Sequence, residues 1–233
     1  MSRPLAITRP ELPSGIVAVP VRTALVKPGD DLLAIVCTAM QGIARAGDVI
    51  TLSETALAIA QGQAVAAQSV RPSRLAYFLS RHAGALATVS QPESLQIVID
   101  QVGASKVLYA SFMQVLGRAI GRRGLFYEIL GEAITAIDGY TGTMPPFERA
   151  IVLAPREPDS FAQSVRERTG IDCAVVDAND LQRAQVLGAS ADVNRRIVQA
   201  ALLSNPHGNS DEQTPIVILK WRGEGTSPLC PVG

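Results

Sequence analysis

Three carboxylates carry the chemistry most easily read from this chain of 233 residues. Asp138 closes the run AITAID, Asp177 closes CAVVD, and Asp180 follows three residues later in DAND. Both runs read as strands that end on an acid. Carboxylates gathered at strand ends are hard oxygen donors. Two or three of them, with nucleotide phosphates, satisfy an octahedral Mg²⁺ or Mn²⁺. Asp-Gly and Asp-Ala-Asn-Asp are also ordinary turn sequences, and spacing alone favours that plainer reading.

Other chemistry has less support. Neither GxGxxG nor GxxxxGK[ST] occurs, so both standard nucleotide cradles are missing. Gly121 and Gly124 flank two arginines, and GRRG reads as a turn before it reads as a phosphate site. His82 follows an arginine at a helix end, and His207 sits in the loop NPHGN. Neither has a partner at metal-ligand spacing, so both are expected on the surface and no zinc site is implied. No GxSxG or Cys-His arrangement supports nucleophilic hydrolysis.

Composition narrows the class. Twenty-one Lys and Arg balance 21 Asp and Glu, so no basic field exists to bind a phosphate backbone. Aromatics are 4%, too few for base-stacking platforms. Hydrophobic residues at 47% can fill a sizeable core. Cys37, Cys173 and Cys230 are odd in number and far apart, which reads as reduced thiols, with Cys37 and Cys173 buried. No apolar run has signal-peptide or membrane-spanning length. The expectation is a soluble, cytoplasmic protein without nucleic-acid or membrane partners.

The elements that must position the aspartates mix strands and helices without regular βαβ alternation, which predicts an α+β fold of mixed sheets and packed helices. Met1–Ser14 is a Pro-rich arm. Residues 15–223 form the domain, with a possible lobe boundary near 121, and 224–233 is a loose tail. Strands are expected at Gly15–Val21, Asp48–Leu52, Arg149–Leu153, Cys173–Asp177 and Pro215–Trp221. A hairpin of Leu125–Leu130 and Ala133–Ile137 is expected around Gly131, and Ser53–Gln61 fits helix or strand. Helices are expected after a cap at Asp30 or Asp31, at Pro72–His82, Pro92–Val102, Lys106–Ile120, Asp159–Arg168 and Asp192–Leu203. The apolar stripe of the fourth of these is Leu108, Phe112, Val115, Leu116 and Ile120. That of the second is Leu75, Phe78 and Leu79, read as facing inward.

A collinear set of segments then resembles one family. KPGDDL at Lys27–Leu32, AGDVITL at Ala46–Leu52, RPSRLA at Arg71–Ala76 and QPESLQIVIDQ at Gln91–Gln101 come first. AITAID, AVVDAND and TPIVILKWRG follow in order. Together they resemble the coenzyme F-420-0: L-glutamate ligases, the γ-glutamyl ligases of deazaflavin coenzyme synthesis. The resemblance implies joining of L-glutamate to a lactyl phosphodiester of a deazaflavin, with GTP as co-substrate and Mg or Mn as metal. The acceptor carboxylate is phosphorylated, and the glutamate amine then displaces phosphate. It also implies an intertwined homodimer, with metal on Asp138 and Asp177; Asp180, close behind the second of these, is a candidate third ligand.

The chain departs from the family pattern in three places. A family Lys-Ile-Val-Ser-Lys-Ala-Glu-Gly run is here TALAIAQG. Its lysines fall on Thr55 and Ile59, its serine on Ala58 and its glutamate on Gln61. Gly139-Tyr140-Thr141 replaces the Ser-Asn after the first aspartate, and Asp177-Ala178-Asn179-Asp180-Leu181 replaces Asp-Thr-Phe-Gly-Arg. Arg71, Arg74 and Arg183 are then the candidate nucleotide-binding cations. Two functions stay open. One is a diverged amide ligase on a deazaflavin-like or related carboxylate. The other is a dimeric binding or assembly protein that keeps the fold without turnover.

Overall fold

The computed structural model describes residues 15–83, 88–131, 134, 137–138, 147, 149–179, 183–208 and 212–222. It confirms an α+β fold and divides the chain into two compact units, residues 1–61 with 155–233, and residues 62–154. The arm at 1–14, the loop at 141–146, Asp180 and the tail with Cys230 lie outside the described residues.

The first unit is built on a five-stranded mixed sheet. Its strands are β1 (Ile16–Val21), β2 (Val49–Ser53), β6 (Asp172–Asn179), β7 (Arg183–Ala189) and β8 (Ile216–Trp221), in the order β1-β8-β2-β6-β7. Only β2 and β6 run parallel, with Val49 opposite Asp172 and Ser53 opposite Val176. β8 is antiparallel to both β1 and β2. Alternate residues point to opposite faces of a strand. Val49, Ala174, Val176, Val217 and Leu219 therefore pack on one face with Val198, Ala201 and Leu202 of helix α8 (Arg195–Ala201) and the turn after it. Ile50, Leu52, Cys173, Val175, Ile216 and Ile218 fill the other and are equally buried. Burial on both faces explains why β2 reads VITL with hardly a polar break.

Three helices complete this unit: α1 (Leu32–Ala39), α2 (Glu54–Ala60) and α7 (Pro158–Thr169). Asp31 caps α1, its Oδ1 accepting from the Ala34 N–H at 3.0 Å. α7 packs across β6 and β7, burying Ala162 and Val165. Its first turn meets β7 so closely that a Cβ on Gly188 would overlap the backbone of Pro158 and Asp159. Asp159 Oδ1 accepts from the Ala189 N–H at 2.8 Å and pairs with Arg195.

The second unit pairs a small antiparallel sheet with helices. β3 (Ala64–Ala66), β5 (Ala150–Leu153) and β4 (Ile137–Asp138) lie in the order β3-β5-β4. The helices are α3 (Arg74–Ser80), α4 (Pro92–Val102), α5 (Ala104–Ala119) and α6 (Leu125–Leu130). Its core gathers Ala76, Leu95, Val98, Ile99, Val107, Ala110, Leu130, Ile134, Ile137 and Ile151. Position 121 lies between α5 and α6.

Several expectations are corrected here. Leu125–Leu130 is a helix, not the first arm of a hairpin. It is held to α5 by Gln114 Oε1, which accepts from the Phe126 N–H at 3.0 Å, and by Leu125 seated on Gly117. A six-residue apolar run fits both periods, and tertiary packing decides between them. Residues 132, 133, 135 and 136 of the expected second arm are not described. Of Ser53–Gln61, the residues Glu54–Ala60 form helix α2. Strands β3 and β7 were not foreseen, and Asp177 and Ala178 lie inside a strand rather than in a turn. Phe78 is 61% exposed, and the whole predicted stripe of α5 faces outward.

Candidate functional site

Asp177 is the one metal candidate whose carboxyl is described. It stands near the end of β6, opposite Gln185 of β7, and is exposed. Arg183 opens β7 opposite Asn179. Residues two apart on a strand share a face, so Asp177 and Arg183 lie on the same side of the hairpin as diagonal neighbours. Partial desolvation against the sheet raises the Asp177 pKa above the usual carboxylate value. An exposed anionic oxygen is the donor type Mg²⁺ or Mn²⁺ takes, so Asp177 fits as one ligand. Among the described residues, no three His, Cys, Asp or Glu come together as a metal cluster.

The other candidates belong to the second unit. Asp138 closes β4 opposite Val152. Arg71 and Arg74 are both exposed and bracket Ser73, the N-cap of α3. Ser73 Oγ accepts from the Ala76 N–H at 3.2 Å, and its own N–H donates to Gln96 Oε1 at 2.8 Å. The structure thus brings Arg71 and Arg74 together at one helix start, and Asp177 with Arg183 on one hairpin.

The residues around the Pro-Gly turn are scaffold. The Lys27 N–H donates to Asp30 Oδ2 at 2.7 Å, and the Gly29 N–H donates to the Ala60 carbonyl at 2.9 Å, fastening the turn to the end of α2. Asp48 is buried, accepts from the Arg45 N–H at 2.9 Å and faces Lys220 Nζ at 3.5 Å. Lys220 Nζ also donates to the Ile43 carbonyl.

Helix α2 holds the positions where the resembled pattern carries phosphate-handling groups. Ala56, Leu57, Ala58 and Ile59 are all buried, Ala58 completely. Gln61 makes a two-point clamp on the backbone of Arg156. Its Nε2 donates to the Arg156 carbonyl at 2.9 Å, and its Oε1 accepts from the Arg156 N–H at 2.7 Å. A glutamate could make only the second of these bonds. These side chains are committed to packing and to loop positioning.

Sequence reasoning misplaced one titratable group. His207 is buried, not on the surface. Its Nδ1 lies 3.2 Å from the Thr214 carbonyl, which can only accept, so Nδ1 carries the proton. Nε2 then accepts, and the Thr51 hydroxyl sits 3.3 Å away. That hydroxyl has one proton for two acceptors, because the Val217 carbonyl is at 2.9 Å. Burial pushes the His207 pKa down to about 4. The signal in NPHGN was ambiguous, since a polar loop does not reveal that its histidine turns inward. His82 is exposed as expected, its Nδ1 2.8 Å from the Phe78 carbonyl. Cys173 is buried as expected, and Cys37 is half-buried.

A family model described as F420-0:Gamma-glutamyl ligase matches residues 20–180. That span takes in the Pro-Gly turn, α2, both arginines at the start of α3, Asp138 and Asp177. Among curated proteins, none matches the chain significantly. No helix among the described residues is long and apolar enough to cross a membrane.

Proposed function

Because the chain belongs to the F420-0:gamma-glutamyl ligase family, we propose that it is a diverged amide ligase acting on a deazaflavin-like or related carboxylate acceptor, in the cytoplasm and as a homodimer. The family match, running through Asp138 and Asp177, is the observation that carries this reading. GTP would phosphorylate the acceptor carboxylate, and the amine of glutamate would displace the phosphate. A bound Mg²⁺ or Mn²⁺ supplies charge neutralisation for the nucleotide phosphates. On this chain Asp177 offers it a carboxylate, and Asp138 and Asp180 are assigned the same task. Arg183, on the face of the hairpin that Asp177 occupies, is assigned to phosphate oxygens. Arg71 and Arg74 are assigned to the nucleotide on their own unit.

A second reading is favoured by α2. Buried Ala58 and Ile59 and the clamped Gln61 leave those three positions without a cation or a carboxylate. Loss of one transition-state charge contact costs about a hundredfold or more in rate. On this reading the chain is a dimeric binding or assembly protein that retains the ligase fold.

Calorimetric titration of GTP in the presence of Mn²⁺ separates the two. The ligase reading expects metal-dependent binding that Asp177→Asn weakens at least tenfold. Asp138→Asn is titrated separately, because that residue belongs to the other unit. No metal-dependent binding by the wild-type protein would sink the ligase reading and leave the assembly protein. Tight binding insensitive to both substitutions would remove the metal assignment.

A further inference from the structure

Helix α5 has its amphipathic pattern turned outward. Its buried residues are small or slender: Val107, Ala110 and Gly117. Between Leu108 and Leu116 every exposed residue is large and apolar: Leu108, Tyr109, Phe112, Val115 and Leu116. Ile120 extends this stripe past the helix end, and the six residues are between 45% and 79% exposed. Scaled by that exposure they offer about 500 Å² of apolar surface, taking about 200 Å² for a whole aromatic side chain and about 100 Å² for an aliphatic one. Exposed patches of that size mark surfaces that bind a protein or a membrane.

Charge around the stripe decides between these two. Over the whole chain 21 Lys and Arg balance 21 Asp and Glu, yet the stretch from Gln101 to Tyr127 holds Lys106, Arg118, Arg122 and Arg123 and no carboxylate. Arg122 pairs with Glu128 of α6. Lys106, Arg118 and Arg123 are exposed and have no carboxylate partner among the described residues. An α-helix turns about 100° per residue. With Phe112 as the centre, the stripe runs from about −60° at Val115 to about +60° at Tyr109, while Arg118 stands at about −120° and Lys106 at about +120°. A cation therefore borders the apolar arc on each side. This is the layout of a helix that lies in a bilayer surface. The apolar arc enters the acyl region, and long cationic side chains reach back to anionic headgroups. Tyr109 fits the same layout, because tyrosine collects at the boundary between membrane and water.

A protein partner fits this face less well. Protein interfaces carry about one hydrogen bond per 100–200 Å². Between Leu108 and Leu116 the Tyr109 hydroxyl is the only side-chain hydrogen-bonding group on an exposed residue. A second copy of this stretch laid on the first would bring the same four cations again and no acid to pair them.

We propose that the outer face of α5 docks on an anionic lipid bilayer, with the helix lying along its surface. No helix among the described residues is long and apolar enough to span one. The inference goes beyond the proposed function and replaces the expectation that membranes are not partners. Its test uses neither nucleotide nor metal, so it stands or falls apart from the ligase reading.

The test is flotation of the full-length protein with vesicles, either of phosphatidylcholine alone or of phosphatidylcholine mixed with phosphatidylglycerol. The wild-type protein is expected to float with the mixed vesicles, to leave the neutral ones at the bottom of the gradient unbound, and to bind more weakly as salt rises. Lys106→Ala and Arg118→Ala should each weaken partitioning about fivefold, and Phe112→Glu about tenfold or more. Circular dichroism and thermal midpoint should stay as in wild type for all three, because these side chains are exposed in the folded chain. A wild-type protein that does not float with the mixed vesicles overturns the proposal. Equal flotation with neutral vesicles overturns the anionic surface as its target. Phe112→Glu binding as wild type does removes α5 as the docking face. If flotation fails and light scattering shows a wild-type mass that Phe112→Glu lowers, the face belongs to a protein contact instead.

Discussion

At the scale of the residue, burial decides what each polar group can do. His207 is neutral in the fold because its pKa is held near 4, while in the unfolded chain it returns to about 6.5. The folded protein therefore binds fewer protons than the unfolded one across that window. Its contribution to stability is complete above pH 6.5 and is lost as pH falls toward 4. The shift amounts to on the order of 3 kcal/mol. Urea unfolding from pH 7 to pH 4 should show this loss, and His207→Gln should flatten the profile in that range. An unchanged slope in the variant would assign the acid sensitivity to other groups. Asp177 runs the other way. Its raised pKa makes the ionised form the costly one, so its penalty is absent below the unfolded carboxylate value and grows as pH rises through the folded value. Ile59 is the sharpest case. Restoring the family's lysine there would bury an unpaired ammonium in α2 rather than present it to phosphate. Ile59→Lys is expected to destabilise the protein by several kcal/mol. A denaturant midpoint equal to wild type would mean that α2 can turn that position to solvent.

At the scale of the element, legibility followed how much of the signal was local. The cap at Asp31, the Pro-started helix Pro92–Val102 and the apolar strands β2, β6 and β8 carry their instructions in their own residues. Two features were hidden because neighbours determine them. LFYEIL fits a strand or a helix until Gly117 and Gln114 of α5 are placed beside it. The α5 stripe has helical period, but period alone does not say which face is inward. The small residues Val107, Ala110 and Gly117 take the core side because close packing on α4 and α6 needs them there. Of the candidate site, the strand position of Asp177 was legible, whereas its hairpin partner β7 was not, because RAQVLGA has no alternation strong enough to announce a strand. Gly188 in that strand tests the packing directly. The backbone of Pro158 and Asp159 fills the space a methyl group would need, and backbone cannot move aside as a side chain can. Gly188→Ala should cost on the order of 1–3 kcal/mol as overpacking, read as a lowered thermal midpoint. A variant as stable as wild type would show that α7 is free to shift off β7.

At the scale of the whole molecule, the two units differ in how the chain assembles them. Residues 62–154 form a continuous segment with its own core on α4 and β5. The other unit is stitched from both ends of the chain, since β2 pairs with β6 and β8, which lie far along the sequence. Its central strands are buried along Val49–Leu52, Cys173–Val176 and Ile216–Leu219, so none of them can open there without exposing the sheet on both faces. Cooperative units of this kind open separately, each with its own free energy. Hydrogen exchange should therefore find the amides of β2, β6 and β8 sharing one opening free energy, and those of α4 and β5 sharing another. Gly188→Ala makes the distinction decisive, because the strain it introduces lies in the five-stranded sheet and its covering helix. It should lower protection across β2, β6 and β8 while leaving α4 and β5 as they were. An equal fall in both sets would mean that the sheets open as one body, and that the division of the core into two clusters has no counterpart in stability.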